Sequence, residues 1–279
     1  MKEFLYFDKE PTSSTHFNRS LMFGESVFET FRYKQKLPVF FSDHMRRLES
    51  SCNFMGIKFP GDFYIESLVE KFVKNHESEH INNIIKDLIV KVLIFSSGGS
   101  SYGDLSEKSS VCISIKEDDV KSNHEYSLCL SKNIKASFDP LNLHKTSNYF
   151  MSVYEKRIAT NRGYDDALFI NEKNLVVETT AGNFFWIKGK NVFTPSLKNG
   201  PLPGIARNIA IRACKSNKIK VYEGDYEPGS IIFPEAMFIT NAVKGIIEVT
   251  NLNNTTKPTR TNKLFPKIKQ TFYSLLEWR

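Results

Sequence analysis

Asp165-Asp166-Ala167-Leu168-Phe169-Ile170, Leu175-Val176-Val177-Glu178 and Asn183-Phe184-Phe185-Trp186-Ile187 decide how this chain is read. Each holds a short run of β-branched and aromatic side chains, so each reads as a strand. Thr179-Thr180-Ala181-Gly182 joins the second to the third. Lys188-Gly189-Lys190-Asn191 then turns the third into a hairpin with Val192-Phe193-Thr194-Pro195. A helix is predicted before this group, over Tyr149–Thr160 with Gly163 near its end. Another follows it, over Gly204–Cys214. Further out, Tyr126–Ser131 and Met237–Thr240 read as strands, and Lys263–Trp278 as a closing helix.

The N-terminal part has the same mixed character. Glu3–Phe7, Val27–Tyr33, Leu88–Phe95 and Val111–Ile115 read as strands. In Ser42–Gly56 the apolar residues Met45, Leu48, Cys52 and Met55 recur at helical spacing, with Ser42 or Asp43 as the expected cap. A second helix is expected over Asp62–Asn75, with Ile65, Leu68, Val69, Phe72 and Val73 on one side. The polar stretch Lys116–Glu125 reads as a linker. The expected organisation is therefore α+β (mixed α/β) in two domains: 1–117, a linker at 118–125, and a larger domain at 126–279.

Composition excludes several classes. The chain has 279 residues, 41% hydrophobic and 25% charged, which rules out disorder and low complexity as descriptions of the whole. The net charge of +7 is spread thinly, and no basic stripe with interleaved aromatics points to nucleic acid. A small anionic substrate or a phosphorylated cofactor accounts for the same sign. Cys52, Cys112, Cys129 and Cys214 match no metal or redox spacing, and buried thiols are expected. No apolar run nears the 18 residues of a membrane span, and the N-terminus lacks a signal-peptide core, so a cytoplasmic protein is expected.

His76-Glu77-Ser78-Glu79-His80 matches the H-E-x-x-H zinc pattern, but its neighbours are polar and no third ligand is evident. It reads as a solvated helix end, and no metal site is expected. Ser96–Asp104 carries Gly98, Gly99 and Gly103 after a strand, without the ending of a phosphate-binding loop.

A constellation spread over the chain is more informative. It comprises Phe23-Gly24-Glu25-Ser26-Val27-Phe28-Glu29-Thr30, His44-Met45-Arg46-Arg47-Leu48, and Leu143-His144-Lys145-Thr146-Ser147-Asn148-Tyr149. It continues through Val177-Glu178, Leu202-Pro203-Gly204-Ile205-Ala206-Arg207 and Phe238-Ile239-Thr240-Asn241-Ala242-Val243. In order and spacing these resemble the fold type IV, or class IV aminotransferase, pyridoxal-phosphate enzymes. That family contains D-amino acid and branched-chain aminotransferases and 4-amino-4-deoxychorismate lyase. The resemblance implies a two-domain fold like that of the D-amino acid aminotransferases, pyridoxal 5'-phosphate in the interdomain cleft, and a homodimer acting on a small amino-bearing substrate. The larger domain would bind the cofactor.

The resemblance also implies roles. Lys145 matches the lysine that binds the cofactor and moves protons. Glu178 matches the carboxylate that keeps the pyridine nitrogen protonated. Arg47, Thr240 and the turn Gly204-Ile205-Ala206 match the phosphate-binding positions, with Arg46 facing solvent. Tyr149 matches a tyrosine beside the cofactor. Thr30 stands where the lyase carries a threonine that assists proton transfer. Phe28, Tyr102 and Asn241 are the candidate substrate neighbours. Lys91 and Asn241-Ala242-Val243 are also lyase-like. The lyase loop, however, carries arginines around its glycines, and Ser96–Tyr102 has none. Ala206 stands where the aminotransferases carry a threonine. A lyase forming 4-aminobenzoate and pyruvate is the expected activity, with a class IV aminotransferase as the alternative.

Overall fold

The computed structural model describes residues 3–7, 19–79, 87–96, 102–103, 108–118, 125–259 and 261–278. The chain divides into two compact units, Met1–Asp119 with His144–Asn148, and Val120–Leu143 with Tyr149–Arg279.

The first unit is built on β1 (Glu3–Phe7), α1 (Arg19–Phe23), β2 (Ser26–Tyr33), α2 (Phe41–Phe54), α3 (Asp62–Glu79), β3 (Leu88–Ser96) and β4 (Ser109–Glu117). Its strands form an antiparallel sheet in the order β1-β4-β3-β2. Alternation sorts the faces. Leu88, Val90, Val92 and Ile94 of β3 are buried in one core with Met45, Leu48 and Cys52 of α2 and Ile65, Val69 and Val73 of α3. Val27, Phe31 and Tyr33 of β2 join them. The alternate residues Phe28 and Thr30 of β2 lie on the other face, where Thr30 is the register partner of Lys91.

Three details depart from the sequence reading. α2 starts at Phe41, so Ser42 and Asp43 lie inside it, and Phe40 occupies the cap position with no side-chain cap bond. α3 continues to Glu79, and its apolar stripe runs one turn further than expected. His76 follows Phe72 and Val73 on that stripe and is 4% exposed, whereas Glu77 and Ser78 face solvent. His80 lies outside the described residues, as does most of the Ser96–Asp104 segment. Finally, His144–Asn148, expected in the larger domain, belongs to the first unit. Lys145 O accepts from Phe28 N–H at 2.8 Å, Ser147 N–H donates to Ser26 O at 2.9 Å, and Thr146 bridges Val27. These backbone bonds add the segment to the edge of β2.

The second unit holds β5 (Tyr126–Leu130), α4 (Phe150–Asn161), β6 (Asp166–Ile170), β7 (Val176–Thr179), β8 (Asn183–Lys188), β9 (Asn191–Pro195), α5 (Ile205–Ser216), β10 (Lys220–Gly224), β11 (Ala236–Asn241), β12 (Gly245–Leu252) and α6 (Leu264–Leu275). Its sheet has the order β10-β9-β8-β11-β12-β5-β6-β7. The β9–β10, β5–β12 and β5–β6 pairs are parallel. β8 is covered on both faces, which is why its sequence is an unbroken apolar run. Phe184 and Trp186 enter a core with Met237, Ile239 and Ile247. On the other face Phe185 stacks on Phe238 at 5.0 Å, and Phe238 meets Phe265 of α6 at 5.3 Å. Asn183 and its register partner Thr240 share this second face with Phe185 and Phe238. All four cysteines are buried.

Candidate active site

In the first unit, pairing with β2 fixes the backbone of Lys145 beside Phe28. The Lys145 Nζ lies 4.3 Å from the centre of the Phe28 ring, and Lys91 Nζ lies at the same distance. Two ammonium groups thus lie near one aromatic ring on this face of the sheet. Thr30, two residues along β2 and opposite Lys91, presents its hydroxyl on the same face. Tyr102 sits in a turn, 87% exposed, with its ring 4.6 Å from Phe23. The buried Arg19 donates from Nη2 to the Tyr102 carbonyl at 3.4 Å and pairs with Glu25 at 2.6 Å.

Arg47 is held from the helix-covered face of the sheet. Its Nε donates to Glu29 Oε1 at 2.6 Å and its Nη2 to Oε2 at 2.8 Å. His44, one turn earlier on α2, meets Oε2 through Nδ1 at 2.7 Å. Glu29 is wholly buried. Burial pushes its carboxyl up, but the Arg47 charge, then His44 and the hydrogen bonds from both, bring it down to about 2. Arg46 turns away, 74% exposed and paired with Asp43. The part of Glu29 was missed from the sequence, although a signal existed. It occupies a core-facing position between Val27 and Phe31, where a charge needs a partner on the packed helix.

In the second unit, the turn between β7 and β8 brings Glu178 to Asn183. Thr179 N–H donates to Gly182 O at 2.9 Å, and Asn183 Nδ2 donates to Glu178 Oε2 at 3.0 Å. The same amide nitrogen donates to Leu202 O at 2.9 Å, and Leu202 N–H donates to Glu178 Oε1 at 3.1 Å. Lys135 Nζ also bonds Glu178 Oε1. Neither Lys135 nor the bridging role of Asn183 was foreseen.

Gly204 caps α5 in extended conformation, with no side-chain cap bond to the first helical N–H groups. A Cβ at 204 would overlap Asn183 Oδ1, so only glycine permits this approach. Ile205 and Ala206 follow, both buried. Thr240 is 2% exposed, and its Oγ1 has no hydrogen-bond partner among the described residues. A buried hydroxyl without a partner is costly, and it fits a site whose ligand supplies the acceptor. Asn241 ties two turns together: Nδ2 donates to Ala181 O at 2.5 Å, and Oδ1 accepts from Val243 and Lys244 N–H at 2.8 and 3.1 Å. Tyr149 occupies the N-cap position of α4.

A helix N-terminus, an unpartnered hydroxyl and a carboxylate with one acceptor direction open therefore cluster in this unit. A helix N-terminus and a buried hydroxyl donor suit an anionic group, and a carboxylate suits a protonated nitrogen. Among the described residues no cluster of potential metal ligands occurs, and no helix is long and apolar enough to cross a membrane.

Comparison with known proteins agrees with this chemistry. The family model described as amino-transferase class IV matches residues 26–252. The chain is 25% identical over 265 residues to an aminodeoxychorismate lyase of Bacillus subtilis, covering 88% of this chain and 84% of that protein. It is 27% identical over 248 residues to a probable branched-chain-amino-acid aminotransferase of Rickettsia typhi, covering 87% and 80%. The crystal structure of a putative 4-amino-4-deoxychorismate lyase from Legionella pneumophila is similar over 96% of this chain and 97% of that one, with a TM-score of 0.86 and 27% identity. The mixed α and β architecture, read first from the strands around Glu178, is the one these relatives share, and the chain belongs to the class IV aminotransferase family of pyridoxal-phosphate-dependent enzymes.

Proposed function

We propose that this enzyme is a lyase that converts 4-amino-4-deoxychorismate to 4-aminobenzoate and pyruvate. The observation that carries the reading is Thr30, a hydroxyl on the sheet face where the Lys145 amine stands over Phe28. Relatives named as aminodeoxychorismate lyase or putative 4-amino-4-deoxychorismate lyase support it.

In this reading Arg47, the Gly204-Ile205-Ala206 N–H groups and Thr240 hold the cofactor's phosphate. Glu178 holds the pyridine nitrogen, Tyr149 flanks the ring and Lys145 is the attachment point. The unpartnered Thr240 hydroxyl and the bare Gly204 turn fit such a group. Pyridoxal phosphate supplies an electron sink for the charge left by a departing proton. With the cofactor bound, the Lys145 amine would take the proton from the substrate ring carbon that bears the amino group. The carbon–oxygen bond to the enolpyruvyl group then breaks, and the ring becomes aromatic. Thr30 gives the departing enolpyruvate the proton that makes it pyruvate and is reprotonated from Lys145. Atoms balance with no water or keto acid consumed. Phe28, Tyr102 and Asn241 border the substrate, Asn241 by fixing two turns. A cytoplasmic homodimer, with a small domain built on 1–117 together with 144–148 and a larger domain at 126–143 and 149–279, belongs to the same proposal.

Two observations favour a second reading, an aminotransferase. Ser96–Tyr102 offers no arginine to a dicarboxylate, and several relatives are named as branched-chain aminotransferases. The test is pyruvate release from 4-amino-4-deoxychorismate with cofactor present and no keto acid added. Equal yields of pyruvate and 4-aminobenzoate from the parent, and none from Lys145→Ala, are expected. Protein that holds the cofactor but releases no pyruvate, and converts its cofactor to the pyridoxamine form with an amino donor, would be the aminotransferase instead.

A further inference from the structure

The geometry points to Lys135 as a positioning residue for Glu178: it occupies one carboxylate oxygen and offsets part of the carboxylate's charge, leaving a single open acceptor direction on the other oxygen. The inference rests on the proposal that Glu178 faces the cofactor's pyridine nitrogen.

A carboxylate accepts along about four lone-pair directions. Glu178 Oε1 accepts from Lys135 Nζ and from Leu202 N–H. Among the described residues Oε2 accepts from Asn183 Nδ2 alone. The remaining direction therefore lies on Oε2. Lys135 reaches Oε1 from a fixed backbone, because its own N–H donates to Ile170 O at 2.9 Å. That bond extends the β5–β6 pairing past Ser131, whose N–H donates to Leu168 O at 2.9 Å. The Lys135 side chain is 22% exposed and that of Glu178 9%, so solvent screens the pair only partly. Among the described residues no other charged side chain bonds Glu178.

Two consequences follow for a ring nitrogen bonded at Oε2. Leu202 N–H on Oε1 and Asn183 Nδ2 on Oε2 keep the carboxylate from turning, with or without Lys135, so Oε2 keeps its aim. The ammonium weakens the pull of the carboxylate on a proton-bearing nitrogen and repels that cation directly. Both electrostatic effects have the same sign. The nitrogen keeps its proton against Glu178, but less tightly than it would against an unpaired carboxylate. When Lys135 is replaced, Asn183 and Leu202 still hold the carboxylate, so charge is lost while aim survives.

Pyridoxamine 5'-phosphate is a suitable probe, because it binds without a covalent bond and its ring absorption reports protonation of the ring nitrogen. Absorption of the bound probe would be followed against pH for the parent, Lys135→Met, Lys135→Gln, Lys135→Arg and Glu178→Gln. The midpoint is expected to rise by about one pH unit in Lys135→Met and Lys135→Gln, and to stay in place in Lys135→Arg. It should fall in Glu178→Gln. Lys135→Gln keeps a donor and serves if the Met variant does not fold. A midpoint unmoved in the Met and Gln variants, while Glu178→Gln shifts it, overturns the role of Lys135. So does a midpoint that falls toward that of Glu178→Gln, which marks a merely structural lysine. A midpoint indifferent to Glu178→Gln refutes the pyridine reading itself.

Discussion

Replacing Glu29 by Gln removes the one charge that Arg47 and His44 share, with almost no change in volume. The carboxyl stands at about 2 in the folded chain against an ordinary 4.5, a difference of 4.5 − 2 = 2.5 units. At about 1.4 kcal/mol per unit, this is on the order of 3 kcal/mol of stability at neutral pH. Breaking a buried pair from one side costs a similar amount, because Arg47 is left facing a neutral amide. The pH dependence has a definite sign. Between pH 2 and 4.5 the unfolded chain carries the Glu29 proton and the folded chain does not. Stability from this group is therefore complete above 4.5 and is lost as pH falls toward 2. Urea unfolding followed by circular dichroism, at pH 7 and at steps down to pH 3, measures both quantities. Glu29→Gln should be less stable than the parent by about 3 kcal/mol at pH 7, and the gap should narrow below pH 4.5. Adding Arg47→Met to the variant should cost less than it does in the parent, since the two side chains act as a unit. A loss below about 1 kcal/mol at pH 7, or a gap that does not narrow in acid, would refute the reasoning that Glu29 is a buried, paired carboxylate.

Two other variants probe the second unit. Gly204→Ala places a methyl group against Asn183 Oδ1; it should lower stability by about 1–3 kcal/mol and weaken cofactor binding, read by thermal melting and cofactor fluorescence titration. Thr240→Val removes a buried hydroxyl that has no partner among the described residues, so stability should hold or rise slightly while cofactor affinity falls roughly tenfold; a loss of more than about 1 kcal/mol would mean the hydroxyl has a structural partner.

The strands around Glu178 and the helix opened by Gly204 were legible because their patterns are local. Alternation, apolar runs and turn residues act over a few positions, and the structure keeps them as β6 to β9 and α5. β10 was missed for the same reason. Lys220–Gly224 is a largely exposed strand with no apolar face, and it forms by parallel pairing with β9, a contact its own residues do not announce. The helix-covered face of the first unit was legible in Met45, Leu48 and Cys52, but not in His76. That residue was read from its polar neighbours, and the apolar stripe of α3 turned it inward.

The site divides along similar lines. By itself the sequence determined which residue types are present and in what order. Lys145, Glu178, Arg47 and the Gly204 turn were therefore recognisable as one family's pattern before any coordinates. Tertiary structure alone decided what each of them touches. Lys145 stands over Phe28 because Thr146 pairs with Val27, more than a hundred residues earlier. Arg47 is oriented by Glu29 from a different element, and Glu178 by Lys135, Asn183 and Leu202 from three separate segments. The physical reason is one of range. Periodicity and turn chemistry are set by neighbours in the chain, whereas a buried charge finds its partner only when the sheet brings distant strands and helices together.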